Sequence, residues 1–265
     1  MIIDAHTHVF PDAIAGRSIE MLEKIGNEKA VTGGTADDLL GAMKAAGVDL
    51  SVVLPVVTKP RQFESINSFA AGLCRRPGLI SLGGIHPACD DIDRRLDFIA
   101  SLGLKGVKLH PDYQETDITD EGYIKILVGC RERGLAVFIH AGVDPASPGH
   151  VHCPPDLSAD VVKAVTKEKP FIVLAHMGGA KQINLVERCL TGLPVYFDTS
   201  FVLDGTEKER IADVIRSHGI GKILFGTDSP WRSAKQYIGI INSILPDPEE
   251  RDAVFSKNCA GLLGV

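Results

Sequence analysis

Eight short, almost uninterrupted apolar runs recur along the 265 residues, at Ile2–His6, Leu50–Leu54, Leu79–Ile85, Gly106–His110, Ala136–His140, Phe171–His176, Val195–Asp198 and Ile223–Thr227. Runs that are apolar on both faces suit parallel strands covered by helices. Between them lie stretches of helical spacing: Ala13–Lys24, Ala36–Ala46, Asp91–Leu102, Glu121–Arg133, Ser158–Glu168, Lys208–Ser217 and a closing Glu249–Leu263. Gly47, Gly103 and Gly134 stand just past three of these, where a left-handed residue commonly ends a helix. The alternation implies right-handed βαβ units. Eight strands in a chain near the roughly 250 residues of a (β/α)8 barrel predict one α/β domain over 1–265, a single TIM barrel rather than a doubly wound sheet.

Composition excludes several functions. Hydrophobic residues make up 45% of the chain, enough for a sizeable core. The net charge of -6 argues against nucleic-acid binding and against an anionic membrane surface, since both need a basic face. No apolar run is long enough to span a bilayer. The six cysteines are scattered and form no C-x-x-C pair, so they read as reduced thiols. Met1-Ile2-Ile3-Asp4 shows no signal-peptide pattern. These features predict a cytoplasmic protein acting on a small molecule, with homo-oligomerisation left open.

The chemistry is carried by where the polar residues fall. Asp4-Ala5-His6-Thr7-His8 ends the first run. Residues i and i+2 of a strand share a face, so His6 and His8 can both point into a barrel mouth and offer two imidazoles to a divalent ion. Alone, that pair is divided evenly between a metal grip and two ordinary surface histidines. His140 closes the fifth run, His176 the sixth, and Asp228 follows the eighth. In a barrel these strand ends converge, which favours a metal site.

These segments resemble the amidohydrolase superfamily over essentially the whole chain. The resemblance rests on D-A-H-T-H-V-F at 4–10, G-V-K-L-H-P at 106–111, F-I-H-A-G at 138–142, L-A-H-M-G-G at 174–179 and F-G-T-D-S-P-W at 225–231. It is nearest to the branch that includes aminocarboxymuconate-semialdehyde decarboxylase. It implies metal roles for His6, His8, His140, His176 and Asp228, with Asp228 also catalytic. The expected cofactor is a divalent ion, Zn2+ first, although His/Asp sites also accept Mn2+, Fe2+ or Co2+.

Lys108 leaves two readings open. As a lysine at the barrel mouth it is a catalytic or substrate-binding group beside one metal. As a carbamate, the form its segment shares with dihydroorotase-type enzymes, it would bridge two. His110 shares its face. Gly84-Ile85-His86-Pro87 resembles TatD-type deoxyribonucleases, but those carry a glutamate where this chain offers Lys108. His86, His110, His152, Trp231 and Arg232 are expected near the substrate; the blander alternatives are a rim residue for His86, a turn-flanking polar group for His152 and surface packing for Trp231 and Arg232. His218, at a helix end, is expected to be a capping charge. Long loops at Val9–Thr35 and Ala141–Asp156 are expected to set specificity. No G-x-S-x-G elbow or phosphate-binding loop is present. The expected function is metal-dependent hydrolysis of an amide, lactone or ester. The alternatives are a decarboxylase or hydratase, and a barrel that has lost its chemistry.

Overall fold

The computed structural model describes every residue except 146, 148, 168, 204 and 205, so Pro148 of the expected specificity loop and Glu168, the expected end of one helix, lie outside the described residues. Among the described residues, eight parallel strands alternate with helices. The strands are β1 (Ile3–Thr7), β2 (Leu50–Val53), β3 (Leu79–Ser81, resumed at Gly83–Gly84), β4 (Gly106–Leu109), β5 (Ala136–Ile139), β6 (Ile172–Leu174), β7 (Tyr196–Asp198) and β8 (Ile223–Leu224). Each pairs with the next in parallel register. β3 is interrupted at Leu82, whose N–H still donates to Val53 O. The ring closes through backbone hydrogen bonds from Ala5 N to Phe225 O, Asp228 N to His6 O and His8 N to Ser229 O. The fold is the expected TIM barrel.

Side chains sort by strand face. Ile3, Ala5, Val52, Leu54, Leu82, Ala136, Phe138, Val173 and Leu224 form one cluster, which only the barrel interior can assemble. Val107, Leu109, Val137, Ile139, Ile172 and Leu174 pack outward against helices such as Ile92–Ser101 and Glu121–Glu132. By alternation, Lys108 and His110 follow the inward face of β4, and His140 follows Phe138 inward.

Two histidines need more than alternation. Ile3 and Ala5 point inward, which would leave His6 outside. Between Asp4↔Ser51 and Thr7↔Val53 the register slips by one residue, and this bulge turns His6 to the interior. His176 follows the outward Leu174, but its backbone is left-handed, with φ 58, as is that of Met177. The short turn His176–Gly178 swings the imidazole back into the mouth.

The helices follow expectation with three differences. The segment Glu249–Leu263 is not one α-helix: Pro248–Asp252 and Asn258–Leu263 flank a π-turn at Ala253–Lys257. The helix expected from Ser158 starts at Pro155, because a proline is at home in a first helical turn. Helices at Phe63–Leu73, Ile183–Cys189 and Ala234–Ile244 complete the outer layer. Asp12–Gly26, here α1, lies over the barrel mouth in the first long loop. No described helix is long and apolar enough to cross a membrane.

His218 corrects an expectation. It is buried, Nε2 donates to Val195 O at 2.7 Å and Nδ1 accepts from Gly192 N. Burial pushes its pKa down to about 4, so it is a neutral packing group stacked on Phe197, not a capping charge.

Candidate metal centre

β1 and the turn after β8 bring three donor atoms together. His6 Nε2 and His8 Nε2 are 3.1 Å apart. Asp228 Oδ1 lies 3.3 Å from the first and 3.1 Å from the second. The second nitrogen of each imidazole fixes the tautomer. His8 Nδ1 faces the carbonyl of Leu54 at 2.9 Å, so it carries the proton. His6 Nδ1 faces Asp198 Oδ2 at 2.8 Å, so it too carries the proton. Two lone pairs and a carboxylate oxygen therefore point at one another, a repulsive arrangement that a cation relieves. Tetrahedral bonds of about 2.0–2.1 Å would set ligand atoms roughly 3.3 Å apart, and the observed spacing matches.

A second pair repeats the pattern. His140 Nδ1 and His176 Nε2 are 3.0 Å apart. His176 Nδ1 is held by Ser200 Oγ at 2.8 Å and Ser200 O at 3.1 Å. His140 Nε2 is buried with no hydrogen-bond partner among the described residues. It faces Asp144 Oδ2 at 3.7 Å and Asp112 Oδ2 at 3.9 Å. Two buried carboxylates favour a proton on that nitrogen, which leaves Nδ1 as another lone pair turned toward His176. His6, His8 and Asp228 thus form one donor group that fits a divalent ion, whereas His140 and His176 form a separate pair that is not part of that group.

Asp198 ties the two halves together. It is fully buried; Oδ2 accepts from His6, while Oδ1 accepts from the backbone N–H of His176 and of Ser200 and from the Ser200 hydroxyl. Burial alone would raise its pKa, but His6, His176 and these hydrogen bonds hold the carboxyl well below its usual range. A carboxylate behind a ligating imidazole fixes ring orientation and raises basicity. Asp228 behaves alike: burial opposes its charge, and His6 and His8 keep it ionised far below the usual value. Burial lowers the pKa of His6 to about 4 and pushes that of His140 well down, so both imidazoles stay neutral.

Lys108 sits inside this group, its Nζ 3.2 Å from His6 Nε2. Burial lowers its pKa to about 8 against the pull of Asp198, Asp228 and Asp144. His110 is stacked between Tyr113 and His140, with ring centroids 3.8 Å and 4.1 Å away. His6, His8, Lys108, His140, His176 and Asp228 line a cavity of about 850 Å³, together with His110, His152 and Trp231. His152 is anchored to Asp112 at 3.1 Å. Two expected substrate residues stand outside that lining. His86 is buried, and its Nδ1 accepts from Ala88 N. Arg232 pairs with Glu28 at 3.0 Å and lies over the Phe201 ring.

Sequence reasoning did not single out Asp198, Ser200, Asp112 or Asp144. Asp198 carried the same signal as His140, a ligand-type residue ending a greasy strand. Asp112 and Asp144 lie in loops, where no periodicity marks them.

An amidohydrolase family model matches residues 3–265. The chain belongs to the amidohydrolase family. Solved structures share the fold at low identity. An uncharacterised TIM-barrel protein from Bordetella bronchiseptica is 16% identical, with TM-score 0.74, covering 99% of this chain and 98% of that one. A candidate 2-pyrone-4,6-dicarboxylic acid hydrolase from Pseudomonas putida is 18% identical, with TM-score 0.67, over 99% and 97% of the two chains. A 5-carboxyvanillate decarboxylase from Novosphingobium aromaticivorans, solved as a mutant with bound manganese, is 14% identical, with TM-score 0.69, over 100% and 97%. No curated protein matches the sequence.

Proposed function

We propose that this amidohydrolase is a metal-dependent hydrolase that cleaves an amide, lactone or ester of a small molecule. The observation that carries the reading is the convergence of His6 Nε2, His8 Nε2 and Asp228 Oδ1 within 3.3 Å, with both imidazoles presenting lone pairs. His6, His8, His140, His176 and Asp228 would hold the ion, with Zn2+ as the first choice. When bound, a divalent ion supplies an activated water near neutral pH and positive charge for a developing oxyanion.

The chain's own groups do the rest. Asp228, ionised and beside both imidazoles, accepts a proton on its carboxylate and later returns it to the leaving group. Lys108 Nζ orients the carbonyl and shares in stabilising the oxyanion. Asp198 keeps His6 in one tautomer throughout. His110 and His152 border the space where the substrate would lie.

Metal content and activity of the His6→Ala, His8→Ala double variant test this reading; full metal occupancy in that variant would sink it. One observation favours a lyase instead: a solved structure of the same fold is described as a decarboxylase. Release of carbon dioxide from aromatic or unsaturated acids, without hydrolysis of esters, lactones or amides, would establish that alternative.

A further inference from the structure

α1 has two apolar faces. Ala15 and Ile19 are buried, whereas Ile14, Met21 and Ile25 are 41%, 55% and 49% exposed and line the cavity that also holds His6, His8 and Asp228. Phe69 lines the same cavity. Apolar side chains of this size, gathered at a mouth, gain free energy from an apolar ligand that covers them.

The charge of the same walls is the second observation. Among the described residues lining the cavity, Lys108 is the one lysine or arginine. Of the lining carboxylates, Glu28 is neutralised from behind by Arg232. Asp112, Glu115, Asp144 and Asp228 also line it. A substrate carrying a carboxylate at its far end would meet no guanidinium or ammonium in the outer cavity.

We infer that the substrate is an uncharged acyl compound, an ester, lactone or amide, whose apolar body lies along Ile14, Met21 and Ile25 and which bears no carboxylate of its own. The acyl group rests on the hydrolase reading above; the apolar, uncharged body rests on the cavity wall.

The test measures binding of straight-chain hydroxamic acids to the zinc-loaded full chain. Trp231, the chain's single tryptophan, borders the cavity and reports binding by fluorescence. The probes are acetohydroxamate, hexanohydroxamate and the monohydroxamate of adipic acid, which ends in a carboxylate. Affinity should rise about fourfold per methylene from acetyl toward hexanoyl, if each methylene is fully buried. The adipic probe should bind at least about tenfold more weakly than the hexanoyl one, the equivalent of about 1.4 kcal/mol. Met21→Glu and Ile25→Glu, at exposed positions, should shrink the hexanoyl-to-acetyl ratio. Affinity independent of chain length, or tighter binding of the adipic probe, overturns the inference. Hydrolysis of short and long esters alike, with flat hydroxamate binding, would leave the hydrolase reading standing and remove this one. Chain-dependent binding without turnover of any ester, lactone or amide would uphold the apolar ligand and remove the hydrolase reading.

Discussion

His6 Nδ1 and Asp198 Oδ2 meet at 2.8 Å, and neither side chain is more than 1% exposed. The pair joins the first strand to the seventh and decides which nitrogen of His6 is left to bind an ion. Asp198→Asn should therefore lower metal affinity by about 10–100-fold, because the amide no longer enforces the tautomer. Competition against a chelator of known affinity measures this. Unchanged affinity would remove the orienting role. Asp198→Ala should in addition destabilise the fold, since the N–H groups of His176 and Ser200 lose a buried acceptor.

Removing the ion should cost stability as well as activity. At a free metal concentration near a hundred times the dissociation constant, binding contributes about 2.7 kcal/mol. In a chain of this size that corresponds to a fall in Tm of roughly 5–10 °C on chelation. Calorimetry with and without 1,10-phenanthroline checks it. The His6→Ala, His8→Ala variant should show no such shift.

Lys108→Met separates the two roles open to the lysine. The substitution keeps the buried volume and removes the charge. We expect one ion per chain before and after, with turnover reduced by about 10²–10³-fold. Metal analysis and turnover measure both. Loss of a second ion on substitution would instead point to a bridging carbamate, which carbon-13 NMR with labelled bicarbonate would detect in the native protein.

Much of this site was legible because strand ends announce themselves. Ala136-Val137-Phe138-Ile139 puts His140 on the inward parity, and Gly106–Leu109 does the same for Lys108 and His110. His6 and His176 were found by residue type, but their inward aim depends on a bulge and on a left-handed turn. Neither device has a periodicity that a sequence displays. Asp112 and Asp144 sit in loops whose path is set by packing after the barrel forms. Helix Phe63–Leu73 escaped notice because its apolar face, Phe63, Ala70 and Leu73, is short and contains the buried Asn67.

His218 makes a pH prediction. Its folded-state pKa of about 4 lies below the ordinary value of 6.5. The unfolded chain therefore takes up the proton first as pH falls. The contribution of neutral His218 is fully present above about pH 6.5 and lost between there and pH 4, on the order of 3 kcal/mol in all. His218→Gln keeps a donor for Val195 O and should flatten the pH dependence of stability over that window by about this amount. Denaturant melts of both proteins at several pH values decide it. Parallel curves would rule out His218 as a source of the dependence.

Gly142 follows the His140 strand with φ +86, and a Cβ there would stand 2.1 Å from Ala180 N and 2.5 Å from Gly179 C. The Gly179–Ala180 backbone cannot yield cheaply. Gly142→Ala should destabilise the fold by at least about 2 kcal/mol and loosen the metal centre, since the loop shifts next to His140. A denaturant midpoint within error of the parent would contradict the close approach.

The closure of β1 onto β8 has a kinetic consequence. His8 and Asp228 lie more than two hundred residues apart, yet Nε2 of the first and Oδ1 of the second are 3.1 Å apart across the seam of the ring. Contacts of such separation form late, because most loop-closure entropy must be surrendered before they reward the chain. Metal capture then becomes a clock for the last step of folding. In refolding with Co2+, the visible absorbance of the bound ion should appear with the slowest phase, after helical signals have already recovered.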